Sequence, residues 1–404
     1  MIAAIVAECN PPHSGHAYLI SRIREEFGTD TCVLLLLSGN YVQRGDLAFT
    51  DRYSRAAGAV AIGADLVLEL PFPYSCQTAE IYATSSASIL NRLGTIDRLC
   101  FGSESGDLHE LSAITDYLSS DAYATDLETA RAADKRKSLA QIRTDLIRKI
   151  VSADAANAVN LPNNILAIEY IMALKRTGSA ITPYTIKRRG SYHGDDSVAS
   201  GYMSAGAIRQ EIKSGKIDKA KPYLSAEFLR ILKNDMESGL SPADFNRLSP
   251  ILLPQLRRSA PCGNLSSCFD IDAGLAAKMK HALDRATDIP SFMSLLKAKH
   301  MTDAHLRRAL LNAYFGVTSS DVHTAPPFTR LLAANARGKE SLKYLKQHSS
   351  LPILSRPSDI RRLTDEKVRQ AVELADFADS LYFLSVPSPQ PMTNLYRFRP
   401  IITE

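Results

Sequence analysis

The chain has 404 residues, of which 45% are hydrophobic and 23% charged, enough for two or three domains and typical of a globular protein. It lacks any run of eighteen uninterrupted apolar residues, which excludes a helical membrane span, and it opens directly on an apolar segment with no basic n-region or cleavage site, so no secretory signal and a cytoplasmic location are expected. The net charge is +5 but unevenly spread: residues 1–199 carry a balance of −4 and residues 200–404 a balance of +9. A basic second half points to an anionic macromolecule, RNA first, although a lysine-rich solvated surface would give the same count. The six cysteines (Cys9, Cys32, Cys76, Cys100, Cys262 and Cys268) show no C-x-x-C spacing, so reduced, mostly buried thiols are expected.

The predicted elements alternate over the first two hundred residues. Ile2–Cys9 reads as a strand and Ser14–Phe27 as an amphipathic helix. Thr31–Ser38 is a continuous apolar run, as a central parallel strand requires. A helix over Asp51–Ile62, a strand over Ala64–Leu70 stopped by Pro71, a helix over Thr78–Leu93 closed by Gly94 and a strand over Ile96–Phe101 follow. Residues 107–150 read as helices, Pro162–Lys175 as a helix with proline in its first turn, Thr182–Lys187 as a strand and Ser204–Ser214 as a helix closed by Gly215. Residues 220–316 look mainly helical, and residues 328–404 read as helix, short strand (Pro352–Ser355), helix (Asp365–Phe377) and a proline-rich tail. The fold class is therefore α/β, a Rossmann-like core with a parallel sheet followed by a mainly helical region. The expected domains are residues 1–215, 216–327 and 328–404.

Five stretches carry candidate chemistry. The first is the turn His13-Ser14-Gly15-His16 between a strand and a helix. Gly15 lets a ligand approach the backbone, the helix N-terminus favours phosphate, and two imidazoles there are placed to stabilise charge at an α-phosphate. Zinc fits poorly, because no further ligand cluster lies nearby. The second, Ser38–Gly45, is a polar loop whose Gln43 and Arg44 suit a carboxylate or phosphate. The third, Leu161–Tyr170, puts Asn163 and Asn164 at a helix start, as caps or as contacts to a ribose or base edge. The fourth, Tyr184–His193, carries Lys187, Arg188 and Arg189 out of a strand, toward polyphosphate, RNA or solvent. The fifth, Met203–Arg209, joins the hydroxyl of Ser204 to the guanidinium of Arg209 on one side of a helix start, suited to β- and γ-phosphates or to plain capping.

Taken in order, the Asn10–His16 turn, Ser38–Gly45, Gly63–Pro71, Cys100–Glu104, Pro162–Tyr170 and Tyr184–His193 resemble the bacterial tRNA-Met cytidine acetate ligases of the HxGH nucleotidyltransferase superfamily. The likeness is strong over residues 1–215 and weaker near Lys297–Phe315 and over the last seventy residues. It implies an enzyme in which acetate attacks the α-phosphate of ATP, with Mg²⁺ on the phosphates. The acetyl group then passes to N4 of the wobble cytidine in elongator tRNA(Met). By the same resemblance the catalytic residues are His13, His16 and Arg209. The nucleotide site comprises Val6, Ala7, Glu8, Cys9, Asn10, Pro11, Pro12, His13, Ser14, Gly15, His16, Ala17, Tyr18, Leu19, Gly102, Asn163, Asn164, Arg188, Arg189 and Ser204, and no protein metal site is implied. The C-terminal α/β region is expected to face the tRNA. Three residues depart from the family pattern: Cys9 stands where an aromatic is usual, Pro12 where Phe is, and Ser14 where Asn is. The alternatives are a small-molecule adenylyltransferase of the same superfamily, usually half this length, and a non-catalytic RNA-binding relative.

Overall fold

A computed structural model describes residues 1–189, 202–260, 265–298, 301–392 and 399–403. Its strands are β1 (Ile2–Ala7), β2 (Cys32–Ser38), β3 (Tyr41–Val42), β4 (Asp46–Leu47), β5 (Leu66–Leu70), β6 (Arg98–Ser103), β7 (Thr182–Lys187), β8 (Thr329–Ala334), β9 (Ile353–Leu354) and β10 (Ile401–Ile402). The main sheet runs β10-β8-β5-β2-β1-β6-β7, with β9 also paired to β8. Its five core strands β5-β2-β1-β6-β7 are all parallel. In chain order these are strands 3-2-1-4-5, and the order reverses at β1, where β2 lies on one side and β6 on the other. In open α/β sheets the crevice beyond the carboxyl ends of the strands at such a reversal is where ligands bind. The chain leaves β1 directly into the His13 turn.

Both faces of the sheet are covered, which explains the unbroken apolar run of β2. Ile2, Ala4, Leu34, Leu36, Leu66 and Leu68 pack on one face with residues of helices Ala79–Leu93 and Pro162–Arg176. Ala3, Ile5, Val33, Leu35, Leu37 and Val67 pack on the other, against Ile20 and Ile23 of helix Ser14–Phe27 and Ala56 and Ala59 of helix Arg52–Ala61. A separate core, around Leu252, Leu256, Met279, Phe292 and Leu310, holds the helices of residues 249–315 together.

The helix expected first in residues 328–404 runs Ala336–His348, but a strand that the sequence did not announce precedes it. β8 is entirely buried and pairs antiparallel with β5, so the C-terminal segment extends the sheet of the N-terminal half. Leu331, Leu332, Ala333 and Ala334 are good helix formers taken alone, but the open edge of β5 and the apolar layers above and below it override that preference. The shorter predictions stand closer: β1 ends at Ala7 and not Cys9, and the final long helix runs Glu366–Tyr382. That helix is tied to the core by a buried ionic cluster. Arg52 pairs with Glu69 at 2.9 Å and with Asp379, and Arg330 pairs with Asp376 at 2.6 Å. Cys9, Cys32, Cys76 and Cys100 are buried free thiols, Cys268 is half-buried, and Cys262 lies outside the described residues.

Candidate active site

Helix Ser14–Phe27 begins with histidines in the roles usually taken by Ser and Glu. His13 is the N-cap, and its Nδ1 accepts from the Gly15 N–H at 3.0 Å. Nδ1 of His16 accepts from the His13 N–H at 3.3 Å, which completes a capping box. Because each Nδ1 accepts, each neutral ring carries its proton on Nε2. The rings lie 4.1 Å apart between centroids. Loss of water around His13 lowers its pKa well below the ordinary value, helped by His16, Arg188 and Arg209. Burial and then Arg188 lower His16 to about 4. Near neutral pH the turn therefore presents two uncharged Nε2–H donors. The sequence had suggested free amides as phosphate ligands, yet the Gly15 and His13 N–H groups are spent on the rings. Gly15 is required here for a further reason. A Cβ would lie 2.7 Å from His13 Cε1 and push the ring out of its cap.

Arg209 sits in helix Ala205–Lys213 and donates from Nη1 to the Asn10 carbonyl at 2.6 Å, closing a contact 199 residues long onto the turn. From the other side, β6 and β7 run in parallel register, with Gly102 opposite Ile186. The Arg188 N–H donates to the Ser103 carbonyl at 2.9 Å, and a Cβ on Gly102 would meet Arg188 Cγ at 3.1 Å. Arg188 and Arg209 thus flank the two neutral histidines with fixed positive charge. Arg189 stacks on Tyr18 of the first helix, its guanidinium 4.5 Å from the ring centroid. Gly190, Ser191, Tyr192 and His193 of the same motif lie outside the described residues.

Several expected contacts act by positioning. Asn164 is wholly buried. Its Oδ1 accepts from the Glu104 and Ser105 N–H groups at 2.8 and 3.2 Å, and its Nδ2 donates to Ala158 at 3.0 Å. Its amide is used inside the protein to fix the loop after β6. Asn163 donates from Nδ2 to Glu104 at 2.7 Å and belongs to the same clamp. Ser204 caps its helix by accepting from the Ala207 N–H at 3.2 Å. Cys9 is buried in the core with a left-handed φ of 43°, its thiol pushed up to about 12 by burial. Asn10, Pro11 and Pro12 are buried beside it, and Asn10 Oδ1 accepts from the Phe49 N–H at 2.8 Å. In the first stretch Val6, Ala7 and Glu8, then Ser14, Gly15, His16, Ala17, Tyr18 and Leu19 are half-buried, and His13 is buried at 8% exposure. Ser14 Oγ has no hydrogen-bond partner among the described residues.

The sequence named Glu8 only as one member of the nucleotide stretch, without its contact to Gln43, and did not single out Arg55. Glu8 accepts on Oε1 from the Gln43 N–H at 3.0 Å, and its pKa is raised by burial, against Arg209, Arg44 and Arg55. The Ser38–Gly45 loop therefore holds a carboxylate belonging to the protein itself. Arg55 is fully buried and donates to the carbonyls of Glu8 (2.7 Å), Ser38 (2.9 Å), Thr50 (3.0 Å) and Gly39, stapling the carboxyl ends of β1 and β2. It lies inside a predicted helix, where nothing local distinguishes it from a surface arginine. Among the described residues no three His, Cys, Asp or Glu side chains form a metal cluster, and no helix is long and apolar enough to cross a membrane.

Residues 1–395 match the model of the HIGH Nucleotidyl Transferase family. The chain is 32% identical over 388 residues to the tRNA(Met) cytidine acetate ligase of a Thermoanaerobacter species, covering 95% of each chain. It is 32% identical over 403 residues to the enzyme of that name from Caldanaerobacter subterraneus, covering 98% of each. Thermotoga maritima TmcAL, crystallised with alpha-thio ATP, superposes with a TM-score of 0.89 at 26% identity, over 100% of this chain and 99% of that one.

Proposed function

The chain belongs to the HIGH nucleotidyl transferases and, within them, to the tRNA(Met) cytidine acetate ligases, and we propose that it activates acetate with ATP and acetylates N4 of the wobble cytidine of elongator tRNA(Met). The observation that carries this is the pair of neutral imidazoles at the β1 reversal, each with its proton on Nε2, between Arg188 and Arg209. In the first step an acetate oxygen attacks the α-phosphorus, the bond to the bridging oxygen breaks, and pyrophosphate leaves with the electron pair. His13 and His16 donate to the phosphate oxygens where charge grows, and the two arginines offset the polyphosphate. ATP arrives as its Mg²⁺ complex, so the metal is part of the substrate. In the second step N4 of cytidine attacks the acetyl carbon, the carbon–oxygen bond to AMP breaks, and the N4 proton passes to solvent. Positioning and charge stabilisation suffice, without a covalent protein intermediate.

Ser14, with its unpartnered hydroxyl, and Ala17 to Leu19 line the nucleotide on the helix side, and Gly102 lets it approach β6. The small-molecule and non-catalytic alternatives lose ground to the near-complete coverage of the ligase relatives. The test supplies elongator tRNA(Met), labelled acetate and ATP. Labelled N4-acetylcytidine with a matching amount of AMP is expected. ADP in place of AMP would place attack at the γ-phosphate, and product from acetyl-CoA alone would remove the ATP-dependent scheme.

A further inference from the structure

A cavity of about 350 Å³ lies between the nucleotidyltransferase core and the helices of residues 249–315. That size falls within the range of built ligand pockets. Its wall includes Arg209, Lys213, Phe245, Met293, Lys297 and Arg307. Arg209 is the important member, because it lines this cavity and its guanidinium also donates to the Asn10 carbonyl in the histidine turn.

The lining carries four cationic side chains against three carboxylates. Each acidic member is already engaged: Asp46 pairs with Arg307 at 3.0 Å, Asp303 pairs with Lys297 at 3.5 Å, and Asp244 accepts from the Asn246 N–H at 3.0 Å to cap its own turn. Lys213 is exposed and has no ion-pair partner among the described residues. Arg209 contributes a second cation held by a neutral carbonyl. The lining adds Phe245 and Met293, both buried. Cationic groups beside two apolar side chains suit a nucleotide, its phosphates on the former and its base against the latter.

Resting on the ligase reading, we infer that this cavity receives the acceptor nucleotide of RNA, turned out of its loop, with its base toward Arg209 and its flanking phosphates on Lys213 and Lys297. Enzymes acting on a base extract it from the stack into a pocket, and proteins read RNA sequence chiefly through unstacked loop bases. The acyl group forms on the far side of Arg209, so the exocyclic amine approaches it from this side.

Two variants of the full-length protein test the placement, each assayed for acetate-dependent pyrophosphate–ATP exchange and for acetyl transfer to tRNA. Ser294 is exposed at the cavity, and Ser294→Trp fills it. Transfer falls at least tenfold while exchange stays within twofold. Lys213→Ala with Lys297→Ala leaves the cavity open and raises the KM for tRNA. It also reduces the slope of log affinity against log salt by about 1 to 2. Wild-type transfer and KM in both variants overturn the inference. So does a parallel fall of exchange and transfer with an unchanged circular dichroism spectrum, since the cavity then serves adenylation. Absence of acetate-dependent exchange in the wild-type chain removes the ligase reading and this inference together.

Discussion

The turn from Glu8 to Leu19 and the segment from Phe328 to His348 meet the same sheet, but they are held in opposite ways. The turn is organised by bonds between residues two or three apart, His13 with Gly15 and His16 with His13. The C-terminal segment is held by bonds 260 and 270 residues long, Thr329 Oγ1 to the Glu69 carbonyl at 2.6 Å and Asn335 Nδ2 to Asp65 at 2.9 Å. The two rings take their geometry from within the turn, although Glu8 and Asn10 just before them are also tied to Arg55, Phe49 and Arg209. The second region takes its geometry from the surface it docks on. Substitutions in the turn should therefore cost catalysis with little loss of stability, and substitutions in the segment the reverse.

The largest expected effect is that of His16→Ala. Removing one preorganised donor from a charge-stabilising site costs on the order of 100-fold in rate or more. Acetate-dependent exchange should fall by that factor, while the melting temperature changes little, because Gly15 and the His13 cap remain. Near wild-type exchange would show that His16 acts only as the capping partner of His13.

Gly338→Ala probes the other side. Gly338 lies in helix Ala336–His348, and a Cβ there would sit 1.9 Å from the Asp65 carbonyl oxygen and 2.6 Å from its carbon. The contact is with backbone and cannot be relieved by a rotamer change. A loss of about 3 kcal/mol in urea denaturation is expected, with exchange per folded molecule unchanged. Equal losses in both measurements would mean that the C-terminal segment and the turn are mechanically one unit.

The same contrast accounts for what could be read beforehand. The turn was legible to the residue because its spacing is its structure: a strand, two histidines around glycine, and a helix start. The parallel core was legible from the unbroken apolar run of β2. β8 was not, since Thr329–Ala334 becomes a strand only against the edge of β5. The contact of Glu8 with Gln43 and the whole role of Arg55 were missed for the same reason. Their importance comes from Gln43 and from four carbonyls brought together by the fold.

A pH series sharpens the comparison at intermediate size. His16 titrates at about 4 in the folded chain and near ~6.5 when unfolded, and His13 is lowered in the same direction. The unfolded state therefore takes up protons below about 6.5 that the native state refuses, so stability falls as pH drops through that window. Asp235 opposes this, since burial pushes it up to about 6. Native Asp235 binds its proton first and gains stability as pH falls. The histidine contribution is isolated by comparing wild type with a His13→Asn, His16→Asn variant, in which asparagine retains an N-cap acceptor. Between pH 7 and pH 5 the wild-type urea midpoint should fall further than that of the variant. Parallel midpoints would mean that the rings are not held neutral.

The smallest expected effect concerns Asn335, which begins the C-terminal helix. Its Oδ1 accepts from the Gly338 N–H at 2.9 Å while its Nδ2 donates to Asp65. Asn335→Ala loses both bonds and should cost about 1 kcal/mol, the usual value of an N-cap. Asn335→Asp separates the two roles. The carboxylate still caps the helix, but it faces Asp65, a buried carboxylate already bonded to the Val33 N–H at 2.8 Å and to Arg24 at 3.0 Å. Arg337, 3.9 Å from Asp65, offsets only part of that repulsion. At pH 7 the Asp variant should therefore be no more stable than the Ala variant, and it should recover as the pH falls and the added carboxyl protonates. Its folded-state pKa is raised by the neighbouring charge, so the stability it gives is present at low pH and lost as pH rises. Neither variant should alter exchange, since neither touches the turn. A change in exchange as large as that of Gly15→Ala, which displaces the His13 ring directly, would connect the helix to the crevice and erase the division between the two regions.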